Sequence, residues 1–132
     1  MSKKNNLLPL QYGRADLQKN GRLRLKAEFA FVRKNGKKFV GEYFILVYAK
    51  DVEDTLKYGA ICSRKFSKKA VVRNRARRLF RESFRLIKSQ VENAHLIFIP
   101  RQRIKGQRLQ EVQKEMIRLL KKAGLWKESK TE

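Results

Sequence analysis

The sequence predicts an α+β fold, an α-β sandwich in which three helices pack on a small mixed sheet. Three features of this chain of 132 residues lead to that class. A hydrophobic content of 42%, with eight Phe, four Tyr and one Trp, is enough for one core. Short runs rich in aromatic and β-branched residues alternate with stretches of helical periodicity. No internal repeat or low-complexity block interrupts that order.

The first half of the predicted domain contains a helix followed by strands. From Leu23 onward, apolar residues at helical spacing predict a short helix, which ends at Gly36 because Gly tolerates the left-handed conformation found after helices. The run from Phe39 to Ala49 predicts one or two strands that are apolar on both faces. A further strand is predicted from Lys57 to Ser63.

The second half of the domain predicts a helix, a strand and a helix. The clearest helical segment runs from Lys68 to about Ser89. The strand from His95 to Ile99 stops at Pro100, which cannot donate to a β-ladder. Apolar residues from Leu109 onward predict an amphipathic helix that ends at Gly124. The strand, helix and strand in the middle of the chain are long enough together for a parallel crossover.

The charge of the chain predicts an anionic partner. The sequence has 34 Lys and Arg residues against 12 Asp and Glu residues, which gives a formal net charge of +22. A compact body with this charge repels itself unless an anionic partner neutralises it. Nucleic acid is the first candidate, and an anionic membrane surface is the second.

Several other classes of protein are excluded by what the sequence lacks. No run of about 18 apolar residues could span a bilayer, and the N-terminus has no signal-peptide core, so we expect a cytoplasmic protein. The single Cys62 and the single His95 cannot form a disulfide or a four-ligand zinc site. Both lie in apolar runs, so we expect buried structural roles rather than a catalytic Cys/His pair.

Nearly half of the net charge lies in residues 64–88, which hold eleven basic residues and one acidic residue. At about 100° per residue, six polar side chains of the predicted helix fall within an arc of roughly 140°: Arg73, Asn74, Arg77, Arg78, Arg81 and Arg85. The predicted core side consists of Val72, Ala76, Leu79, Phe80, Ser83, Leu86 and Ile87. Solvated helix faces normally mix charges, so successive like-charged pairs four residues apart favour an anion-binding face.

The residue types on this face favour nucleic acid but leave its kind open. Guanidinium groups pair with phosphate oxygens and stack on bases, and Asn74 offers a donor and an acceptor for a base edge or a 2′-hydroxyl. A DNA major-groove helix is an alternative, although the helix follows a strand rather than the short helix of a helix-turn-helix reader. The KH loop and the RRM aromatic consensus are absent. A membrane-surface helix would need the apolar side that the core uses.

Three segments resemble the protein subunit of bacterial ribonuclease P. They are Arg22 to Phe29 (RLRLKAEF), Tyr58 to Lys65 (YGAICSRK) and, most specifically, Ala70 to Arg85 (AVVRNRARRLFRESFR). The resemblance covers about residues 20–122. Residues 1–21 are polar and show no periodicity, which predicts a mobile basic arm. The chain then divides into this arm (1–21), a ribonuclease P protein domain (22–124) and a C-terminal tail (125–132).

The resemblance implies two binding surfaces and an unusual left-handed strand-helix-strand crossover, opposite to the general rule. One surface binds the catalytic RNA subunit through Lys65, Lys68, Lys69, Arg73, Asn74, Arg75, Arg77, Arg78 and Arg81. Among these, Arg75 lies apart from the other arginines on the helical wheel. The other surface is a cleft for the single-stranded 5′ leader of precursor tRNA, between the first helix and the sheet, lined by Phe29, Val32, Ile45 and Val47. Phe44, Leu46 and Tyr48 then face the main core.

The function implied by the resemblance is that of a ribonuclease P subunit. The chain would bind the catalytic RNA and the leader and assist endonucleolytic removal of the leader, which gives the mature tRNA 5′ end. The chemistry belongs to the RNA, with magnesium held mainly by the RNA subunit, and no residue of this chain is expected to be catalytic or to bind metal. The expected partners are the catalytic RNA and precursor tRNA, without membrane or DNA. The alternatives are a structural RNA-binding protein of ribosomal type and a DNA-binding module.

Overall fold

The structure is a computed structural model that describes residues 21–23, 26–50 and 52–127. Most of the predicted N-terminal arm (1–20) and the last five residues (128–132) lie outside the described residues. The described helices and strands are α1 (Lys26–Asn35), β1 (Lys37–Val40), β2 (Phe44–Ala49), β3 (Lys57–Ala60), α2 (Ala70–Ile87), β4 (His95–Pro100) and α3 (Leu109–Lys122). Short 3₁₀ turns occupy Lys88–Gln90 and Gln102–Ile104. The predicted α+β class is confirmed.

The four strands form one mixed sheet in the order β1-β2-β4-β3. β1 pairs with β2 and β2 pairs with β4 in antiparallel fashion, whereas β3 and β4 are parallel. The predicted parallel crossover through α2 is therefore confirmed. The apolar run from 39 to 49 is a hairpin, because Gly41 N–H donates to the Phe44 carbonyl at 2.8 Å and closes a turn. β3 is shorter than predicted, and after Ile61 the chain leaves the sheet toward α2.

One face of the sheet carries the main core beneath α2 and α3. Phe44, Leu46 and Tyr48 of β2 are buried in this core, as predicted. Phe80 of α2 stacks on Phe98 of β4 with ring centroids 5.4 Å apart. The Phe44 ring meets Phe80 edge-on at 5.3 Å. These aromatic contacts fix α2 over the strands and leave its opposite side to solvent.

The other face of the sheet is covered by α1. Val32 is fully buried there against Val47 and Ile97. The Phe29 ring lies so close over β3 that a Cβ on Gly59 would be 2.5 Å from the Phe29 Cζ atom, so only glycine fits at that position. Glu28 of α1 pairs with Lys57 of β3 at 3.6 Å, with both side chains 1% exposed. Helices therefore pack on both faces of the sheet, which makes the predicted sandwich.

The end of the domain continues beyond α3. Gly124 has φ +75°, which terminates the helix as predicted. Leu125 is buried, and its carbonyl accepts a hydrogen bond from Glu92 N–H at 2.7 Å. Lys127 N–H donates to the Gln90 carbonyl at 2.7 Å. Residues 125–127, which the sequence assigned to the tail, thus pack against the domain.

Candidate nucleic-acid interface

The loop between β3 and α2 is a compact turn that presents lysines. The N–H groups of Phe66 and Ser67 both donate to the Ser63 carbonyl, at 3.1 and 3.2 Å. From the first turn of α2, Arg73 Nη1 donates to the Ser67 carbonyl at 3.0 Å and ties the loop to the helix. The three lysines predicted to contact RNA here are exposed: Lys65, Lys68 and Lys69. The first turn of α2 contains no acidic residue.

The buried side of α2 consists of Ala76, Phe80, Ser83, Phe84 and Ile87. Leu86, which was predicted on the core side, is 53% exposed, so that prediction is wrong. The reason is that the core side is centred on Phe80 and Ile87, and Leu86 lies about 100° from Ile87 around the helix. Phe84 takes the core position instead and packs on Tyr58 at 4.7 Å.

The solvent side of α2 carries the predicted basic surface, which we call the arginine face: Asn74, Arg77, Arg78, Arg81 and Arg85. All five residues are exposed. Arg77 Nη1 donates to Asn74 Oδ1 at 3.0 Å, and Arg85 forms a salt bridge of 2.9 Å with Glu82, the one acidic residue of α2. The face is therefore strongly positive with one local counter-charge.

Three predicted RNA-contacting arginines are partly engaged in holding the fold, because each donates to a backbone carbonyl. Arg73 is half-buried by its bond to the loop, as described above. Arg77 Nη2 reaches the Cys62 carbonyl at 3.4 Å, at the other end of the same loop. Arg75 points elsewhere, because its Nη2 donates to the Gln107 carbonyl at 2.9 Å, beside the start of α3. Its separation from the other arginines on the helical wheel is thus confirmed.

The residues predicted to line the leader cleft lie together on the α1 side of the sheet. Phe29 and Ile45 are half-buried and present some surface to solvent. Val32 and Val47 are 0% and 6% exposed, so they support this surface from below in the observed conformation. Leader contact by these four residues remains a prediction.

Two isoleucines that form a row with the predicted Ile45 were not predicted: Ile61 and Ile99. Ile45 of β2 pairs directly with Ile99 of β4, and Ile61 N–H donates to the Phe98 carbonyl at 3.0 Å, which places Ile61 beside Ile99. All three are half-buried members of the cluster under α1. Periodicity could have identified Ile99 as apolar, but only the non-local strand pairing places it beside Ile45.

Cys62 and His95 are both buried, as predicted. Burial raises the pKa of the Cys62 thiol to about 11, although Arg77 and Arg73 act in the opposite direction. Burial also lowers the pKa of His95, against the effect of the Glu53 carboxylate, which lies 3.3 Å from Nε2. A protonated buried thiol is unsuited to nucleophilic attack.

The described ranges contain no group of three or more His, Cys, Asp or Glu side chains placed to hold a metal ion. They also contain no helix that combines the length and the apolar character needed to cross a membrane.

Comparison with known proteins identifies the same family as the three sequence motifs. The family model described as Ribonuclease P matches residues 17–124. The ribonuclease P protein component of Clostridium kluyveri is 38% identical over 109 residues, which cover 80% of this chain and 96% of that protein. The corresponding protein of Syntrophomonas wolfei is 32% identical over 111 residues, covering 83% and 92%.

Solved structures show the same architecture. The ribonuclease P protein of Staphylococcus aureus superimposes with a TM-score of 0.72 at 28% identity, covering 82% of this chain and 99% of that one. The protein of Thermotoga maritima gives a TM-score of 0.69 at 32% identity, covering 76% and 96%. The sheet and the three described helices thus belong to a fold with known representatives.

Proposed function

Because the chain belongs to the ribonuclease P protein family, we propose that it binds the catalytic RNA of ribonuclease P and assists removal of the 5′ leader from precursor tRNA. The observation that carries the proposal is the arginine face together with the lysine loop before it. Guanidinium forks and ammonium groups on one exposed surface complement a phosphate backbone, and the aromatic core beneath holds that surface rigid. The expected location is the cytoplasm, where bacterial tRNA precursors are made.

The leader is proposed to lie on the opposite side of the sheet, over the Ile45, Ile61 and Ile99 row and the exposed part of Phe29. This surface is apolar and half-open, so unpaired bases can pack or stack on it. The RNA subunit and the leader would then contact different layers of the sandwich. Val32 and Val47 pack α1 against the sheet at the border of this surface.

The chain itself is proposed to supply binding and orientation, not bond cleavage. Magnesium, held mainly by the RNA subunit, would supply the activation of water and the stabilisation of phosphate charge. The described part of this chain does not suit such an ion, because its carboxylates are dispersed or occupied, as with Glu28 on Lys57 and Glu82 on Arg85. We therefore assign no chemical step to the protein residues.

Reconstitution tests the proposal directly. The purified chain is mixed with a bacterial ribonuclease P RNA at low magnesium, and cleavage of precursor tRNA is followed beside a ribonuclease P protein of known activity. We expect stimulated release of the leader at the mature 5′ end. RNA binding without stimulated cleavage would instead place the chain with structural RNA-binding proteins of ribosomal type and refute the proposal.

A matched pair of variants tests the surface on α2. K68A/R81A removes two exposed cations that form no hydrogen bond with a loop in the described part of the chain, whereas K26A/K34A removes two exposed cations from α1, on the other side of the sheet. K68A/R81A should weaken binding to the RNA subunit and flatten its log-log salt dependence by up to about 1.4–1.8, since each phosphate contact contributes about 0.7–0.9. Equal slopes for the two variants would show that the face does not contact phosphate.

A further inference from the structure

A cavity opens beside the arginine face, between the first turns of α2 and the loop that precedes α3. Its volume is about 650 Å³, within the range of roughly 300–1,000 Å³ that is typical of small-molecule sites. Phe66, Val72, Ala76 and Ile104 make its floor apolar. Phosphate contact alone, the role proposed for the arginine face, gives no reason for an apolar hollow at this place.

Two features keep the cavity open. Val71 lines its wall and is 72% exposed, the most exposed large apolar side chain among the described residues. Gly106 lines its edge with φ +83°, and a Cβ at that position would have no atom within 4 Å. The loop therefore turns back without placing a side chain across the opening.

The rim of the cavity is positively charged. Arg75, Arg78 and Lys105 line it, and none of the described Asp or Glu residues does. Arg75 is held across the gap by its 2.9 Å bond to the Gln107 carbonyl, and Lys105 Nζ lies 5.0 Å from the centre of the Phe66 ring. A suitable occupant is therefore apolar and flat in its body and anionic at its edge.

We propose that this cavity receives one unstacked nucleobase of an RNA strand, with the attached phosphate against Arg75, Arg78 and Lys105. The proposal rests on the proposed function, because it extends RNA binding from the phosphate backbone to a base. A base can pack its faces on the valine methyl groups and on a guanidinium plane, while its phosphate pairs with the rim. A bare phosphate would leave the apolar floor unused, and a second copy of this chain would bring two strongly positive surfaces together.

A pair of aliphatic variants on α2 tests the cavity. V71S removes an exposed methyl pair from its wall, and L86S removes an exposed aliphatic side chain from the same helix outside it. V71S should weaken binding to a bacterial ribonuclease P RNA at least about 5-fold, because the two methyl groups that the base would cover are lost. Its salt slope should stay unchanged, since no phosphate contact is lost. L86S should bind as the unmodified chain does, and equal affinities for V71S and L86S would overturn the proposal.

Titration with adenosine 5′-monophosphate gives a second, direct measurement. Methyl NMR signals of Val71, Val72 and Ile104 should shift with this nucleotide and not with ribose 5-phosphate, which lacks the base. Equal shifts with both compounds, no shift with either, or shifts that follow protein concentration instead would each overturn the proposal. The last result would point to a second copy of the chain.

The two proposals fail in distinguishable ways. If K68A/R81A weakens RNA binding and V71S does not, RNA contact by the arginine face is supported and base binding in the cavity is refuted. If the unmodified chain binds no RNA, the proposed function is refuted. The nucleotide titration then still tests whether the cavity binds a base.

Discussion

The buried ion pair between Glu28 of α1 and Lys57 of β3 joins α1 to the edge of the sheet. Both side chains are 1% exposed, and Lys57 Nζ lies 3.6 Å from Glu28 Oε2. The next residue on α1 is Phe29, whose ring rests on Gly59 of β3. The pair therefore holds the helix that borders the proposed leader surface, and its removal should affect both stability and that surface.

Replacing Lys57 with Met leaves the Glu28 carboxylate buried without this partner. Breaking one side of a buried pair costs about 3–5 kcal/mol of the free energy of unfolding. At a few degrees per kcal/mol for a domain of this size, the midpoint of thermal unfolding should fall by roughly 10–25 °C. In E28L/K57M no buried charge of the pair remains, so this double variant should recover at least half of the loss.

Urea unfolding followed by circular dichroism measures these differences, with R103M as the matched control. Arg103 pairs with Glu42 at 3.3 Å, but these side chains are 70% and 54% exposed. Its loss should therefore change the free energy of unfolding by no more than about 1 kcal/mol. If K57M costs no more than R103M, or if E28L/K57M is no more stable than K57M, the reasoning from burial is refuted.

Two further predictions concern the α1 side of the sheet and the loop before α2. F29A should weaken binding of leader-containing precursor tRNA more than binding of mature tRNA. The control is F39A, which truncates a half-buried phenylalanine packed against the main core and should affect both tRNAs equally. If F29A weakens binding of both tRNAs equally while the protein stays folded, Phe29 serves packing alone. Burial raises the pKa of Cys62 to about 11, so only about one thiol in a thousand is ionised at pH 8. Iodoacetamide should therefore label the folded protein at least about 100-fold more slowly than the urea-unfolded protein. Labelling of both forms at similar rates would contradict the burial of Cys62.

The order of elements was predictable because apolar spacing follows the period of each local structure. Residues 70–87 repeat their apolar positions with the helical period, and Gly124 marks the end of α3 through a conformation that glycine accepts. The turn of the hairpin within 39–49 could have been predicted from Gly41 and Glu42, which interrupt the apolar run between Val40 and Tyr43. The pairing of β4 between β2 and β3 is non-local, so the Ile45, Ile61 and Ile99 row could not be assembled from the sequence.

The cavity beside α2 could not be predicted from the sequence either, because its two sides are distant along the chain. Its wall comes from α2 and its other side from residues about 30 positions later, including Ile104 and Lys105. On a helical wheel, Val71 is simply an apolar residue near the N-terminus of α2. Only the docking of the loop before α3 shows that Val71 faces a hollow rather than the core.

The helical wheel separates only Arg75 from the other arginines of α2, but the structure distinguishes these others by the groups that they contact. Arg73 and Arg77 donate to the Ser67 and Cys62 carbonyls, and so they hold the loop that presents Lys65, Lys68 and Lys69. Replacing either one should disturb that loop as well as remove a charge. A loss of RNA affinity at these two positions therefore cannot be read as a lost phosphate contact. Among the described residues, neither Lys68 nor Arg81 forms such a bond to the backbone. The salt dependence of variants at these two positions therefore measures directly how α2 contacts RNA.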